Sequence, residues 1–140
     1  MKYKGAAIQF DCRFMEKEKN LSQLAGLIRQ AAGQGAKLIV LPEMCATGYY
    51  FDSMDQASEM AEYVIGGRTV GLLEDLAREL DCYLVAGLPE SEGDRLYNTA
   101  VLVGPGGLIG RHRKMHHYTP DSTWAKTGDE PVAVFDTPIG

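Results

Sequence analysis

The feature that most constrains the fold of this chain is a short and wholly apolar run, residues 38–41, that lies directly after an amphipathic segment. Four consecutive apolar residues indicate a strand that is buried on both faces, as in a sheet covered by helices. Pro42 closes the run, because proline cannot donate to a continuing ladder. Ahead of the run, apolar residues recur at intervals of three and four over residues 20–31, which predicts a helix. Gly33 and Gly35 end that helix.

The same order repeats further along the chain. A second helix is predicted to begin at Arg68 or Thr69, and a second buried strand follows at residues 82–88. Two more strands, residues 96–103 and 108–114, are joined by a Gly-Pro-Gly-Gly turn that is typical of a hairpin. The first and last predicted strands are residues 3–10 and 131–135. This order predicts an α/β protein, with helices packed on a mixed sheet, in one domain over residues 1–140.

Composition narrows the class of protein and its surroundings. The chain has 140 residues, 45% of them hydrophobic, and a net charge of −5, which is typical of one soluble globular domain. No long basic run occurs, which argues against a nucleic-acid partner. No apolar stretch reaches the length of a membrane span. Three widely separated cysteines argue against a disulfide framework and favour a reducing, cytoplasmic setting.

Glu43 is the first candidate for chemistry, because it directly follows the buried strand and its closing proline. In open α/β sheets, ligands bind outside the carboxyl ends of the strands, so this carboxylate is aimed at the expected site. Partial burial at such a place suits a general base. The alternative is an ordinary glutamate that solvates the strand end. The nearby residues Tyr49 and Tyr50 are interpreted as a wall of the substrate pocket.

Lys114 is the second candidate. It ends a predicted strand, on which it would share one face with His112 and His116. If that face meets Glu43, the ammonium can stabilise an oxyanion or polarise a substrate carbonyl. The alternative is a solvated basic edge strand, since lysine and arginine commonly protect sheet edges from aggregation.

Other patterns carry less weight. The three histidines of the chain have no matching Cys, Asp or Glu ligands nearby, so no metal site is predicted. The glycine-rich turn at residues 104–107 joins two strands and opens no helix, which argues against a dinucleotide-binding loop. A nucleotide-binding α/β module therefore stays a weak alternative. Cys45 lies near Glu43, but it is too close in sequence to face that base readily.

Taken together, several segments resemble the motifs of the nitrilase superfamily of carbon–nitrogen hydrolases. The run from Leu38 to Tyr49, which contains Glu43, is similar to the family's glutamate motif. Residues 7–10 are similar to the family's first strand. The other matching segments follow in the family's order, and they are residues 86–90, 97–100 and 110–116. The resemblance covers essentially the whole chain but only about half of the family's domain.

This resemblance implies an α-β-β-α sandwich, of which the chain would hold the N-terminal half, and a Glu-Lys-Cys catalytic set. Glu43 would be the general base, and Lys114 would steady the tetrahedral intermediate. Asp121 stands near the position where many members have a second glutamate. The resemblance also implies a hydrolase of small amides, N-carbamoyl compounds or nitriles that needs neither cofactor nor metal and forms a homo-oligomer.

The family's nucleophilic cysteine follows a strand that begins after a segment like residues 135–140. We therefore expect this chain to lack the nucleophile and to be inactive alone. Such a portion would expose strand edges and apolar faces, which favours pairing with the missing half or with another chain. The alternative function is a non-catalytic binding or regulatory subunit.

Overall fold

The computed structural model describes residues 2–119 and 121–140, which form a five-stranded sheet with two long helices on one face. The strands are β1 (Lys4–Ala7), β2 (Ala36–Val40), β3 (Tyr83–Glu92), β4 (Arg95–Gly104) and β5 (Gly107–Arg113). The helices are α1 (Lys17–Gly33), α2 (Met54–Met60) and α3 (Arg68–Leu80), and a 3-10 turn covers Asp121–Thr123. None of the helices in this part of the chain is long and apolar enough to cross a membrane. The predicted α/β class is confirmed.

The sheet runs in the order β1-β2-β3-β4-β5. The pairs β1–β2 and β2–β3 are parallel, and the pairs β3–β4 and β4–β5 are antiparallel. Parallel neighbours need a crossover connection, which α1 supplies between β1 and β2 and which α2 and α3 supply between β2 and β3. The mixed sheet that the order of elements predicted is therefore present.

A two-residue turn at residues 105–106 joins β4 to β5. Gly104 pairs with Gly107 across this turn, which confirms the predicted hairpin. Gly107 has a φ of +107°, a value that residues with a side chain rarely adopt. The glycine-rich turn is thus explained by backbone geometry.

The register between β4 and β5 shifts by one residue shortly after the turn. Val103 lies opposite Leu108, whereas Leu102 lies opposite Gly110. Ile109 is therefore an additional residue on β5, as in a β-bulge.

The core lies between the sheet and the long helices. Leu24 and Ile28 of α1 and Leu73 and Leu76 of α3 are all buried in it. The strand residues in the same cluster are Ile39, Leu84, Ala86, Leu88, Val101 and Val103. Because successive strand residues point to opposite faces, their neighbours lie on the other side of the sheet. On that side Val40 is 40% exposed.

The predicted last strand, residues 131–135, was wrong, since this segment has no regular secondary structure. Val132 and Val134 are largely exposed, and no strand within residues 2–119 and 121–140 pairs with them. A β-branched run forms a strand only where a neighbouring strand completes its hydrogen bonds and packs against it. Phe135 nevertheless packs against Gly110, where its ring occupies the space that a Cβ would need.

Two helices also differ from the prediction. α1 begins at Lys17, ahead of Asn20, because Asn20 does not cap the helix: its buried amide donates to the carbonyl of Ala46. α2 was not predicted, since Ala57 is its one buried residue and no apolar stripe marks it. Its signal was Ser53, whose hydroxyl accepts a hydrogen bond from the backbone of the first turn.

Candidate active site

Glu43 lies in the turn that follows β2, close against β3. Cys45 N donates to Gly87 O at 3.0 Å, which holds the turn to the strand. A Cβ at Gly87 would lie 2.8 Å from Cα of Glu43, so only glycine allows this approach. Met44 takes a left-handed conformation with a φ of +53°. The turn leaves the Glu43 side chain 45% exposed at the carboxyl end of β2, where the sequence pattern placed it.

Lys114 directly follows β5, and its ammonium lies between two carboxylates. Nζ is 2.9 Å from Oε1 of Glu43 and 2.6 Å from Oδ2 of Asp121. The structure therefore brings together the three charged residues that the sequence analysis selected, although 71 positions separate Glu43 from Lys114.

Asp121 is the buried member of this group, and its side chain has no exposed surface. Burial by itself raises the pKa of the Asp121 carboxyl, but hydrogen bonds from Lys114 and Tyr49 outweigh it and lower the pKa below its usual value. Burial likewise lowers the pKa of the Lys114 ammonium, yet its hydrogen bonds to Asp121 and Glu43 leave it above its usual value. Asp121 and Lys114 are therefore both charged at neutral pH.

Asn98 of β4 is a member of the site that the sequence analysis did not select. Its Nδ2 donates to Oε1 of Glu43 at 2.7 Å and to Oδ1 of Asp121 at 3.3 Å. The residue is only 4% exposed. The available signal was an isolated amide within an apolar strand, because a buried amide needs hydrogen-bond partners.

Tyr49 and Tyr50, which were predicted to form a pocket wall, differ in their burial and in their contacts. The Tyr49 hydroxyl donates to Oδ2 of Asp121 at 3.0 Å, and burial together with that carboxylate raises the pKa of Tyr49. Lys114 Nζ lies 5.6 Å from the centre of its ring. Tyr50 is 60% exposed and meets Tyr49 edge to face. Tyr49 thus supports the buried carboxylate.

A cavity of about 510 Å³ adjoins Glu43 and Lys114. His112 and His116 line it as well, so the side chains expected to share a face meet Glu43 at one cavity. Much of the remaining wall is apolar and comes from Leu41, Val85, Ala86, Ala100, Met115 and Val132. A mostly apolar cavity with a few convergent polar groups suits a small organic ligand. Across residues 2–119 and 121–140, no group of three or more His, Cys, Asp or Glu side chains is placed to hold a metal ion.

The motif order and this geometry agree with the comparison of the chain with known families. A family model described as "Carbon-nitrogen hydrolase" matches residues 4–140. The chain belongs to the carbon–nitrogen hydrolase family. The resemblance drawn from the sequence motifs is thereby confirmed.

Curated relatives within this family carry nitrilase and amidase names. A nitrilase of Pyrococcus abyssi is 42% identical over 133 residues, which cover 95% of this chain and 51% of the relative. The omega-amidase NIT2 of Homo sapiens is 35% identical over 135 residues, which cover 87% of this chain and 46% of the relative. The chain thus spans about half the length of the curated relatives it matches.

Solved structures show the same fold. Nit3 of Saccharomyces cerevisiae, a member of branch 10 of the nitrilase superfamily, superposes with a TM-score of 0.78 at 29% identity, covering 94% of this chain and 50% of that one. An N-terminal amidase superposes with a TM-score of 0.78 at 23% identity, covering 86% of this chain and 30% of that one. The nitrilase-type fold is therefore confirmed. Of the α-β-β-α sandwich, the described residues form one helical layer and one sheet.

The three cysteines of this member of the family lie outside the wall of the cavity. Cys45 is fully buried, and burial raises its pKa to about 12. Cys82 is buried directly before β3, and the Cys12 thiol donates to the carbonyls of Met44 and Cys45. Burial raises the pKa of both thiols. None of the three is placed as a thiolate beside Glu43.

We expect Cys45 to resist alkylation in the folded protein. At about pH 8, iodoacetamide should label Cys12 well before Cys45, because a buried and protonated thiol reacts slowly. Mass spectrometry of peptides after brief labelling measures the order, and guanidinium should make all three cysteines reactive. Labelling of Cys45 at the same rate in folded and unfolded protein would contradict the burial that excludes it as a nucleophile.

A second cluster of buried charges lies on the helix side of the sheet. Glu90 is 1% exposed and accepts two hydrogen bonds from Arg113, at 2.9 and 2.7 Å, and another from Arg111. Arg113 is 4% exposed, and its guanidinium lies 3.7 Å from the centre of the Tyr97 ring. The solvated basic edge that was the alternative interpretation of this strand therefore does not apply to Arg113.

Proposed function

We propose that this chain carries the general base and the oxyanion-stabilising lysine of a hydrolase that cleaves non-peptide carbon–nitrogen bonds in small amides, N-carbamoyl compounds or nitriles. The observation that carries the proposal is the position of Lys114 Nζ, 2.9 Å from Oε1 of Glu43 at the wall of the cavity. The names of the relatives, nitrilase and omega-amidase, support the same class of bond. The proposed chemistry uses no cofactor.

In the proposed reaction with an amide, Glu43 takes the proton of a cysteine thiol, and the thiolate attacks the carbonyl carbon. Lys114 donates a hydrogen bond to the oxygen that becomes negative in the tetrahedral intermediate. When that intermediate collapses, the carbon–nitrogen bond breaks and the proton on Glu43 passes to the leaving nitrogen. Ammonia or an amine departs, and a thioester remains. Water, deprotonated by Glu43, then attacks the thioester, which releases the acid and restores the thiol.

We assign the nucleophile to a cysteine other than Cys12, Cys45 and Cys82, because these thiols are buried or bonded to backbone carbonyls. The 140 residues alone are therefore expected to be inactive.

That the protein forms a homo-oligomer, or pairs with a complementary segment, stays a prediction. The half-buried Leu38 and Val85 on the sheet face opposite the helices support it, since an apolar face favours a packing partner.

The proposal is tested by hydrolysis with the protein expressed from its complete coding region, with and without Glu43→Gln. We expect release of ammonia from at least one of a small amide, an N-carbamoyl amino acid and a nitrile. Glu43→Gln should lower kcat by about 10²–10⁴-fold, the usual contribution of a general base. Glu59→Gln makes the same change at an exposed carboxylate of α2 and should keep full activity.

Two outcomes would contradict this proposal. One is the absence of hydrolysis with all three substrate classes. The other is a Glu43→Gln variant that is as active as the unchanged protein.

A further inference from the structure

The amide of Asn98 lies between the two carboxylates of the site. Its Nδ2 carries two hydrogens and donates to Oε1 of Glu43 at 2.7 Å and to Oδ1 of Asp121 at 3.3 Å. Lys114 Nζ contacts the same two carboxylates, through Oε1 of Glu43 and Oδ2 of Asp121. The four side chains therefore form a closed ring of hydrogen bonds.

This ring of hydrogen bonds offsets the repulsion between the two carboxylates. Two carboxylates at one site repel each other, and a single ammonium offsets only one negative charge. The amide of Asn98 adds donors to both carboxylates without adding charge. Asn98 and Lys114 both use Oε1 of Glu43, and Oε2 has no hydrogen-bond partner within residues 2–119 and 121–140. One oxygen of the proposed base is thus fixed, and the other is left to accept a proton.

The backbone of Asn98 also fixes the position of the Lys114 backbone. Its carbonyl oxygen accepts a hydrogen bond from Lys114 N at 2.8 Å, just beyond the end of β5. Asn98 lies on β4, the strand between β3 and β5, where it pairs with Pro89 of β3. A rigid strand position holds a side chain more accurately than a loop does. Asn98 is therefore the one residue of this group that contacts each of Glu43, Lys114 and Asp121 from a regular strand.

We propose that Asn98 is a positioning residue of this site, which fixes the relative geometry of the Glu43 carboxylate and the Lys114 ammonium. The inference rests on the function proposed above. Asn98 also lines the cavity, but it is only 4% exposed and its amide hydrogens are bonded to Glu43 and Asp121, so it offers little surface to a substrate. A residue that sets the direction of a base acts chiefly in the transition state. The loss of Asn98 therefore lowers kcat much more than it raises KM.

The experiment compares three variants of the protein expressed from its complete coding region: Asn98→Leu, Thr69→Val and Glu43→Gln. Leucine has the same number and branching of side-chain heavy atoms as asparagine, although its methyl groups are larger, and it donates no hydrogen bond. Asn98→Leu should lower kcat by about 10²-fold, with KM changed by less than about threefold. Thr69→Val removes a buried hydroxyl of α3 whose hydrogen bond to Glu62 lies outside the cavity. Thr69→Val should lower Tm about as much as Asn98→Leu does, because each variant removes a buried hydrogen-bonding group, and it should leave kcat unchanged.

The inference fails if Asn98→Leu keeps kcat within about threefold of the unchanged protein while Glu43→Gln is inactive. It also fails if Thr69→Val loses as much kcat as Asn98→Leu, since lowered stability would then account for both. An inactive unchanged protein overturns the proposed function itself, and the two failures are thereby distinguished. If Asn98→Leu does not fold, Asn98→Ser, which is smaller and still polar, is held to the same criteria.

Discussion

Replacement of Lys114 by methionine is expected to lower kcat/KM by about 10²–10³-fold and to destabilise the fold at the same time. Methionine keeps most of the aliphatic volume but removes the ammonium that lies 2.6 Å from Oδ2 of Asp121. The loss of activity follows from the loss of a cation aimed at the developing oxyanion. The loss of stability, about 3 kcal/mol, follows because the fully buried Asp121 carboxylate loses its charged partner.

A second substitution separates these two effects. Asp121→Asn in the Lys114→Met background should restore part of the stability, because a neutral amide needs no cation and its oxygen can still accept the Tyr49 hydroxyl. The recovery is incomplete because the new amide nitrogen faces Nδ2 of Asn98, which is also a donor. Activity should not return. Urea unfolding and kcat/KM on one substrate measure both quantities in the single and double variants. Recovery of activity together with stability would show that Lys114 acts only by neutralising Asp121, contrary to its proposed role.

Glu90→Gln is expected to lower the free energy of unfolding by about 3 kcal/mol or more. Glutamine keeps the shape of the side chain but removes the charge that faces Arg113. Both side chains are almost fully buried, at 1% and 4% exposure, so water cannot replace the lost charge. Arg113 then keeps carboxylate contacts to Glu92 and Glu130, which are 49% and 42% exposed and stabilise it less. Urea unfolding measures the change.

The matched control for Glu90→Gln is Glu79→Gln. Arg29 meets Glu79 with a similar pair of hydrogen bonds, at 3.0 and 2.8 Å, but both side chains are 50% exposed. Exposed pairs contribute at most about 1 kcal/mol, so this variant should lose less than that. Equal losses in the two variants would show that burial does not determine the strength of the Glu90 pair.

Much of the fold could be predicted from the spacing of apolar residues. β2, β3 and α3 were predicted because their buried positions recur in runs or at helical intervals, and such patterns directly reflect burial. α2 has too little buried surface to leave a pattern. Residues 131–135 have the composition of a strand, but a strand also needs a partner, and composition does not supply one.

The candidate site divides in the same way. Glu43 and Lys114 were selected because each follows a predicted strand and stands within a family motif. The contacts of Asn98 and Arg113 could not be predicted, because they depend on which residues of β4 and β5 lie opposite each other. That register is a property of two strands together and is not visible in either one alone.

The additional residue at Ile109 decides which basic side chain reaches Glu43. If β5 paired with β4 without the shift, Arg113 would lie opposite Asn98, and Lys114 would point towards Glu90 and the helices. With the shift, the Lys114 ammonium lies in the site beside Glu43, and the Arg113 guanidinium pairs with Glu90 on the helix side. This has an evolutionary consequence. In a relative whose β5 is one residue shorter, the lysine still lies opposite the equivalent of Asn98 only if the strands pair without a bulge. The length of this hairpin and the presence of the bulge must therefore change together.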